Sequence, residues 1–243
     1  MTAAAGTTPR DRALSAAKAV SAALVAGALA GLVIGGLGGR IAMLVLRLTS
    51  DPSLHGLETD DGFTIGIVSS ATLFLVILTT VAGGVGGLAY GAVRSWLPER
   101  LRPWLFGSLT GVVGGALVIR PGGIDFTRLE PLGLAVVMFV ALPAAYGVAT
   151  SLLAERFLDK RSAFQSARSS IAGLAVLLPI VLFGAIGLLV VVLILGSVVI
   201  AGSGARLASF WSSAPVTWLG RAILAFVGVV GTVALAHDVA AVL

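Results

Sequence analysis

The chain has 243 residues, of which 58% are hydrophobic and 11% charged, and its mean hydropathy is +1.07. Soluble domains of ordinary composition do not reach such values, so soluble classes are excluded. The net charge of +5 does not indicate nucleic-acid binding, because the basic residues stand in small groups between apolar runs. With no cysteine, the chain has neither a disulfide framework nor a thiolate metal site.

The N-terminal segment is predicted to stay attached as an uncleaved first span. Residues 1–15 form a short polar tail, and Lys18 follows at the start of an apolar run. The "ALA" at 28–30 resembles a signal-peptidase site, but the run continues to Leu37 without a polar break. The excess of arginine over lysine, 14 against 2, is typical of a bacterium with a GC-rich genome, so the bacterial plasma membrane is expected.

Six apolar runs are long enough to cross about 30 Å of hydrocarbon as helices. In chain order they are 16–48, 63–93, 104–120, 131–153, 171–200 and 215–237. The sequence therefore predicts an all-α integral membrane protein, a polytopic bundle of about six helices in one transmembrane domain over 16–243. The run 171–200 has an alternative, because a break at Gly184 or Gly187 would change the number of crossings and move the C-terminus to the other side.

The basic residues indicate an orientation for these six spans. Ten fall on one side: Arg10, Arg12, Lys18, Arg94, Arg100, Arg102, Arg156, Lys160, Arg161 and Arg168. Six fall on the other: Arg40, Arg47, Arg120, Arg128, Arg206 and Arg221. Because cytoplasmic loops carry an excess of lysine and arginine, both termini are predicted to be cytoplasmic.

Glycine motifs lie inside the spans. They are "GGLGG" at 35–39, "GGVGG" at 83–87 and "GVVGG" at 111–115. None follows a strand or carries the lysine of a phosphate-binding loop. In lipid, small residues let helices approach closely, so these motifs are predicted to mark helix–helix seams.

Charged residues gather at the predicted outer face. Arg40 lies 22 residues after Lys18, about 33 Å along a helix, and so reaches the outer interface. An outer polar cluster, with one or two arginines left to bind a phosphate or carboxylate headgroup, is predicted. Its members are Arg40, Arg47, Asp51, Glu58, Asp60, Asp61, Arg120, Asp125, Arg128 and Arg221.

Most of these charges also have an ordinary explanation. Helix capping and loop solvation account for most of the acids, and snorkelling of the long side chain to the lipid phosphates accounts for Arg40. A more specific alternative to snorkelling is that Arg40 pairs with a carboxylate of the 51–61 loop. His55 stands in the same loop, but its spacing from the acids matches no metal-ligand motif.

No catalytic motif is present, and the predicted span interiors lack Asp, Glu and His, so neither proteolysis nor ion-coupled transport is favoured. The leading hypothesis is a structural or accessory membrane subunit, or a binder of anionic lipid headgroups, with no cofactor. The partners expected are the bilayer itself, its anionic headgroups or another membrane protein. A small-solute or lipid transporter is the alternative, and a membrane enzyme acting on a lipid-linked substrate is less favoured.

Overall fold

The computed structural model describes residues 8–51, 70–123, 126–127, 131–159, 161–165 and 209–243, which contain helices and no β-strand. In chain order the long helices are α1 Pro9–Ala30, a π-helix Gly31–Gly38, α2 Gly39–Thr49, α3 Ser70–Val93, α4 Arg102–Val118, α5 Leu132–Leu158 and α6 Ala214–Val242. Short 3-10 helices at Glu99–Leu101 and Ala163–Gln165 lie in the connections.

Local sequence accounts for where several helices begin. The Thr8 hydroxyl accepts a hydrogen bond from the Asp11 amide, and the Asp11 carboxylate accepts one from the Thr8 amide, which caps α1. A proline stands in the first two positions of α1, α4 and α6, where its missing N–H removes no helical hydrogen bond. The first helix continues unbroken through the π-helix into α2, because the residues at both junctions are helical.

Five helical stretches are long and apolar enough to cross a membrane. They are Leu14–Thr49, Thr72–Val93, Glu99–Val118, Leu132–Leu158 and Ala214–Val242. In order they correspond to the predicted runs 16–48, 63–93, 104–120, 131–153 and 215–237. The sixth predicted run, 171–200, lies outside the described residues. The described chain therefore has the expected all-α membrane class.

Glycines bring α1 and the π-helix into backbone contact with α3. A Cβ added at Gly27 would lie 2.6 Å from the Cα of Gly87, and one added at Gly31 would lie 2.9 Å from the Cα of Gly83. Real Cβ atoms do not approach other atoms so closely, so a larger residue at these positions would force the helices apart. Close approach of this kind supplies the dispersion contact that lipid-embedded helices need for association.

A second seam joins α4 to α5. A Cβ added at Gly147 would lie 2.9 Å from the Cα of Gly107, and one added at Gly111 would lie 2.8 Å from the Cβ of Ala144. Pro143, which lies inside α5, packs against Gly114, where an added Cβ would lie 2.6 Å from the proline Cβ. Because this face of α4 carries glycines instead of larger residues, it leaves room for the proline ring.

The directions of the helices define two ends of the bundle. The Arg94 end comprises the connection 94–101 and the residues that contact it. The Ile119 end holds a buried cluster that includes Leu46, Ile119 and Val242. The first helix starts at the Arg94 end, because Ala23 of α1 contacts Gly91 near the end of α3.

The last helix also starts at the Arg94 end. The indole N–H of Trp211 donates to the Ala92 carbonyl oxygen at 2.9 Å. Further along α6, Leu235 contacts Gly115 of α4, and Val242 reaches the cluster at the Ile119 end. The N-terminal helix therefore begins at one end of the bundle, and the C-terminal helix finishes at the other.

This arrangement differs from the expectation that both termini share one side. The difference arises between Gln165 and Trp211. Gln165 donates a hydrogen bond to the Phe157 carbonyl in the last turns of α5, so it lies at the Arg94 end, as Trp211 does. The residues that connect them, 166–208, lie outside the described residues.

Candidate functional site

Arg40 joins the first helix to the start of α3. Its guanidinium donates to the Thr72 hydroxyl and lies 3.8 Å from the Met43 sulfur. The acids at positions 58, 60 and 61, which were proposed as partners, lie outside the described residues. The Arg40–carboxylate pair therefore stays a prediction.

Other members of the predicted outer cluster follow Arg40 at the Ile119 end. Arg47 lies in the last turn of α2 beside the buried Leu46, and the exposed Asp51 comes soon after. Arg120 directly follows the buried Ile119 at the end of α4. Asp125 and Arg128 lie outside the described residues. The structure thus brings Arg40, Arg47 and Arg120 to the same end of the bundle.

Arg221 does not join them, which corrects the sequence-based assignment. Its Nε–H donates to the Trp96 carbonyl oxygen at 2.8 Å, which places it at the Arg94 end. The assignment placed Arg221 at the outer face because it counted one crossing between the fourth and last spans. The direction of α6 is set by packing, since Gly220 lies directly on the Trp96 indole ring.

A network of charged side chains at the Arg94 end joins α3, α4 and α5. The Glu155 carboxylate accepts hydrogen bonds from the Tyr90 hydroxyl at 2.6 Å and from Arg94 Nε and Nη2 at 3.0 and 2.8 Å. Arg102 Nη1 lies 3.4 Å from the same carboxylate. The hydrogen bond with Glu155 raises the pKa of Arg94, so its guanidinium stays charged.

Sequence reasoning missed this network. The sequence pattern indicates Arg94 and Arg102 only as loop charges that set the orientation, and Glu155 lies just beyond the predicted end of the fourth span. The available signal was an acid that follows the apolar run of α5, at the level of the basic connection before α4. Pairing two residues 61 positions apart requires the helix packing, which the sequence pattern does not contain.

Trp96 anchors the start of α6 to the connection 94–101. Its side chain is 8% exposed, and its ring centroid lies 5.0 Å from that of Trp211. Trp218 contributes a third ring, with the Arg221 guanidinium carbon 5.7 Å from its centroid. Tryptophans are enriched at membrane interfaces, so this cluster is typical of the level at which headgroups lie.

A groove of about 650 Å³ opens between α4 and α6, directly beside these aromatic rings. Apolar side chains of both helices line it, among them Leu105, Leu109, Leu224 and Val229. Of the residues that line the groove, Arg221 is the charged one. The groove thus combines an apolar wall with a cation at one end, a pairing that suits an amphiphilic ligand.

The Arg221 guanidinium has no carboxylate partner among the described residues. Its Nε–H is held by the Trp96 carbonyl, which fixes the orientation of the planar group. Arg94 and Arg102, in contrast, both lie beside Glu155. A guanidinium offers five N–H donors, so Arg221 keeps donors that a phosphate could accept in a bidentate manner.

Hydroxyl groups of the spans mostly bond to their own helices. Thr79 and Thr80 donate to the Val76 carbonyl, and Thr232 donates to the Gly228 carbonyl. This is the ordinary behaviour of hydroxyls in membrane helices. Within the described ranges, no group of three or more His, Cys, Asp or Glu side chains is arranged to hold a metal ion.

Comparisons of the chain with protein families, with curated proteins and with solved structures gave no match.

Proposed function

We propose that this protein is a multi-pass protein of the bacterial plasma membrane that binds the headgroup of an anionic phospholipid at Arg221, without catalysing a reaction. The observation that carries the proposal is the Arg221 guanidinium, held by the Trp96 carbonyl and without a carboxylate partner among the described residues. The same role suits a structural or accessory subunit of an envelope complex that requires anionic lipid.

The chemistry of arginine favours a phosphate as the ligand. A phosphodiester presents two oxygens that match the fork of a guanidinium, and charge-assisted hydrogen bonds are stronger where water is scarce. Trp218 lies next to Arg221, and Trp211 packs on Trp96, whose carbonyl holds Arg221. Such aromatic rings are typical of the level where headgroups lie. Binding is favoured over catalysis because no acid or histidine lines the groove beside the arginine.

The distribution of basic residues supports a cytoplasmic Arg94 end. Moving Arg221 to this end changes the division of basic residues from ten against six to eleven against five. A cytoplasmic Arg94 end therefore agrees with the positive-inside rule.

We expect the C-terminus to lie on the periplasmic side and the Arg94 end on the cytoplasmic side. The natural chain has no cysteine, so single cysteines can be introduced at the exposed Arg100 and Leu243 without a background signal. A membrane-impermeant maleimide added to intact cells should label Leu243→Cys, whereas Arg100→Cys should react only after permeabilisation. Labelling of both positions from the same side would contradict the proposed topology.

We expect Arg221→Ala to weaken the preference for anionic lipid about tenfold, as loss of a charge-assisted hydrogen bond predicts. The measurement is native mass spectrometry of delipidated protein with phosphatidylglycerol or phosphatidylcholine of identical chains. Arg161→Ala removes the same charge at the Arg94 end from a residue that does not line the groove, so it should keep the preference. Equal losses in both variants, or no preference in the parent protein, would exclude Arg221 as a specific site.

A further inference from the structure

We infer that the bound phospholipid inserts one acyl chain into the groove between α4 and α6, so that the ligand is held by its chain as well as by its headgroup. This inference rests on the proposed headgroup site at Arg221. It adds a second determinant of lipid binding, the shape of the groove. A purely electrostatic contact at the membrane surface does not depend on that shape.

Two close contacts of α6 lie along the groove. At the Arg94 end, Gly220 packs directly on the Trp96 ring. Towards the Ile119 end, a Cβ added at Gly231 would lie 2.9 Å from Val112 Cγ1, so α4 and α6 meet again there. Residues of both helices near these contacts line the cavity of about 650 Å³.

Small residues on α6 leave space in the groove. A Cβ added at Gly228 would meet no atom within 4 Å, and Ala225 beside it is also small. Ser108 contributes a short side chain from α4. An apolar space that the described residues of the chain leave unfilled, in a helix pair otherwise in close contact, requires an occupant from the surroundings or from elsewhere in the chain.

The length of the groove matches one leaflet. Arg221 and Thr232 both line it and lie 11 residues apart on α6, which corresponds to about 16 Å of helix. Half of the hydrocarbon thickness is about 15 Å. A chain whose headgroup phosphate contacts Arg221 would therefore extend along the groove to the middle of the bilayer.

Charge distinguishes a phospholipid from the rest of the chain as the occupant. Residues 166–208 are the long apolar segment that precedes α6, and they contain no Asp or Glu. They offer no counter-charge to Arg221, whereas an anionic phospholipid supplies both the phosphate and the apolar chain. An anionic phospholipid thus complements both the cation and the apolar groove.

Filling the groove tests the inference. Gly228→Leu places a side chain in the open space, and we expect it to reduce phosphatidylglycerol binding about tenfold, because excluding a buried group from its pocket has an effect of this size. Binding of phosphatidylcholine should fall in parallel, since the acyl chain is common to both lipids. Gly133→Leu is the matched control, because an added Cβ there also meets no atom within 4 Å and Gly133 does not line the groove.

The outcomes separate the two proposals. If Gly228→Leu binds phosphatidylglycerol like the parent while Arg221→Ala loses the anionic preference, the chain inference is overturned and the headgroup site stands. If Gly228→Leu lowers binding of both lipids while Arg221→Ala is silent, the headgroup site fails instead. If Gly228→Leu lowers the melting temperature and the parent binds neither lipid, residues 166–208 fill the groove, and the inference is overturned.

Discussion

Gly31→Ala is expected to destabilise the protein by about 2 kcal/mol, because an added methyl group would overpack the seam between the π-helix and α3. The new Cβ would overlap the Thr79 carbonyl oxygen and lie 2.9 Å from the Cα of Gly83. Both neighbours are backbone atoms, so relief requires the helices to move apart. The gain in helix propensity from glycine to alanine, about 1 kcal/mol, offsets only part of this cost.

The measurement is thermal unfolding in mild detergent, where a fall of several degrees is expected for this change in free energy. Gly39→Ala is the control on the same continuous helix, since a Cβ there meets no atom within 4 Å. The two variants share the propensity gain and differ in the seam contact. Equal melting temperatures for both would show that the close approach contributes nothing to stability.

The structure also ranks the glycines within the motifs recognised in the sequence. At Gly36 an added Cβ would lie 3.3 Å from the Thr79 hydroxyl oxygen, and at Gly84 it would lie 3.2 Å from Leu24 Cδ1. These neighbours are side-chain atoms, which can shift more easily than backbone. Substitution by alanine at either position should therefore be milder than at Gly31.

Glu155→Gln is expected to cost about 2 kcal/mol, less than a fully buried ion pair because about a third of each paired side chain is exposed. The substitution keeps the shape of the side chain but removes the negative charge. Arg94 and Arg102 would then lie close together without their shared carboxylate. The ends of α3, α4 and α5 would lose their common anchor, and the melting temperature should fall.

Glu99→Gln is the matched control at the same end of the bundle. Glu99 is 84% exposed and lies 3.6 Å from Arg102, so its loss should change stability by less than about 0.5 kcal/mol. A double-mutant cycle with Arg94→Ala and Glu155→Ala measures the pair itself. Additive effects in that cycle would show that the contact between Arg94 and Glu155 stabilises nothing.

The sequence by itself determined the class of the protein and the position of most helices. Hydrocarbon thickness sets a minimum length for an apolar run, and that requirement is local. The predicted run 104–120 therefore corresponds closely to α4 at Arg102–Val118, and 215–237 to α6 at Ala214–Val242. The π-helix at Gly31–Gly38 was not anticipated, because apolar length does not depend on the type of helix.

The tertiary structure alone decided which polar residues meet. The sequence pattern predicted one face for Arg40 and Arg221, yet they lie at opposite ends, because the direction of α6 follows from its packing on Trp96 and α4. The Arg94–Glu155 pair and the groove beside Arg221 have the same origin. Hydropathy describes each segment along the chain, whereas direction, pairing and cavities arise from contacts between segments far apart in sequence, which a single apolar run does not encode.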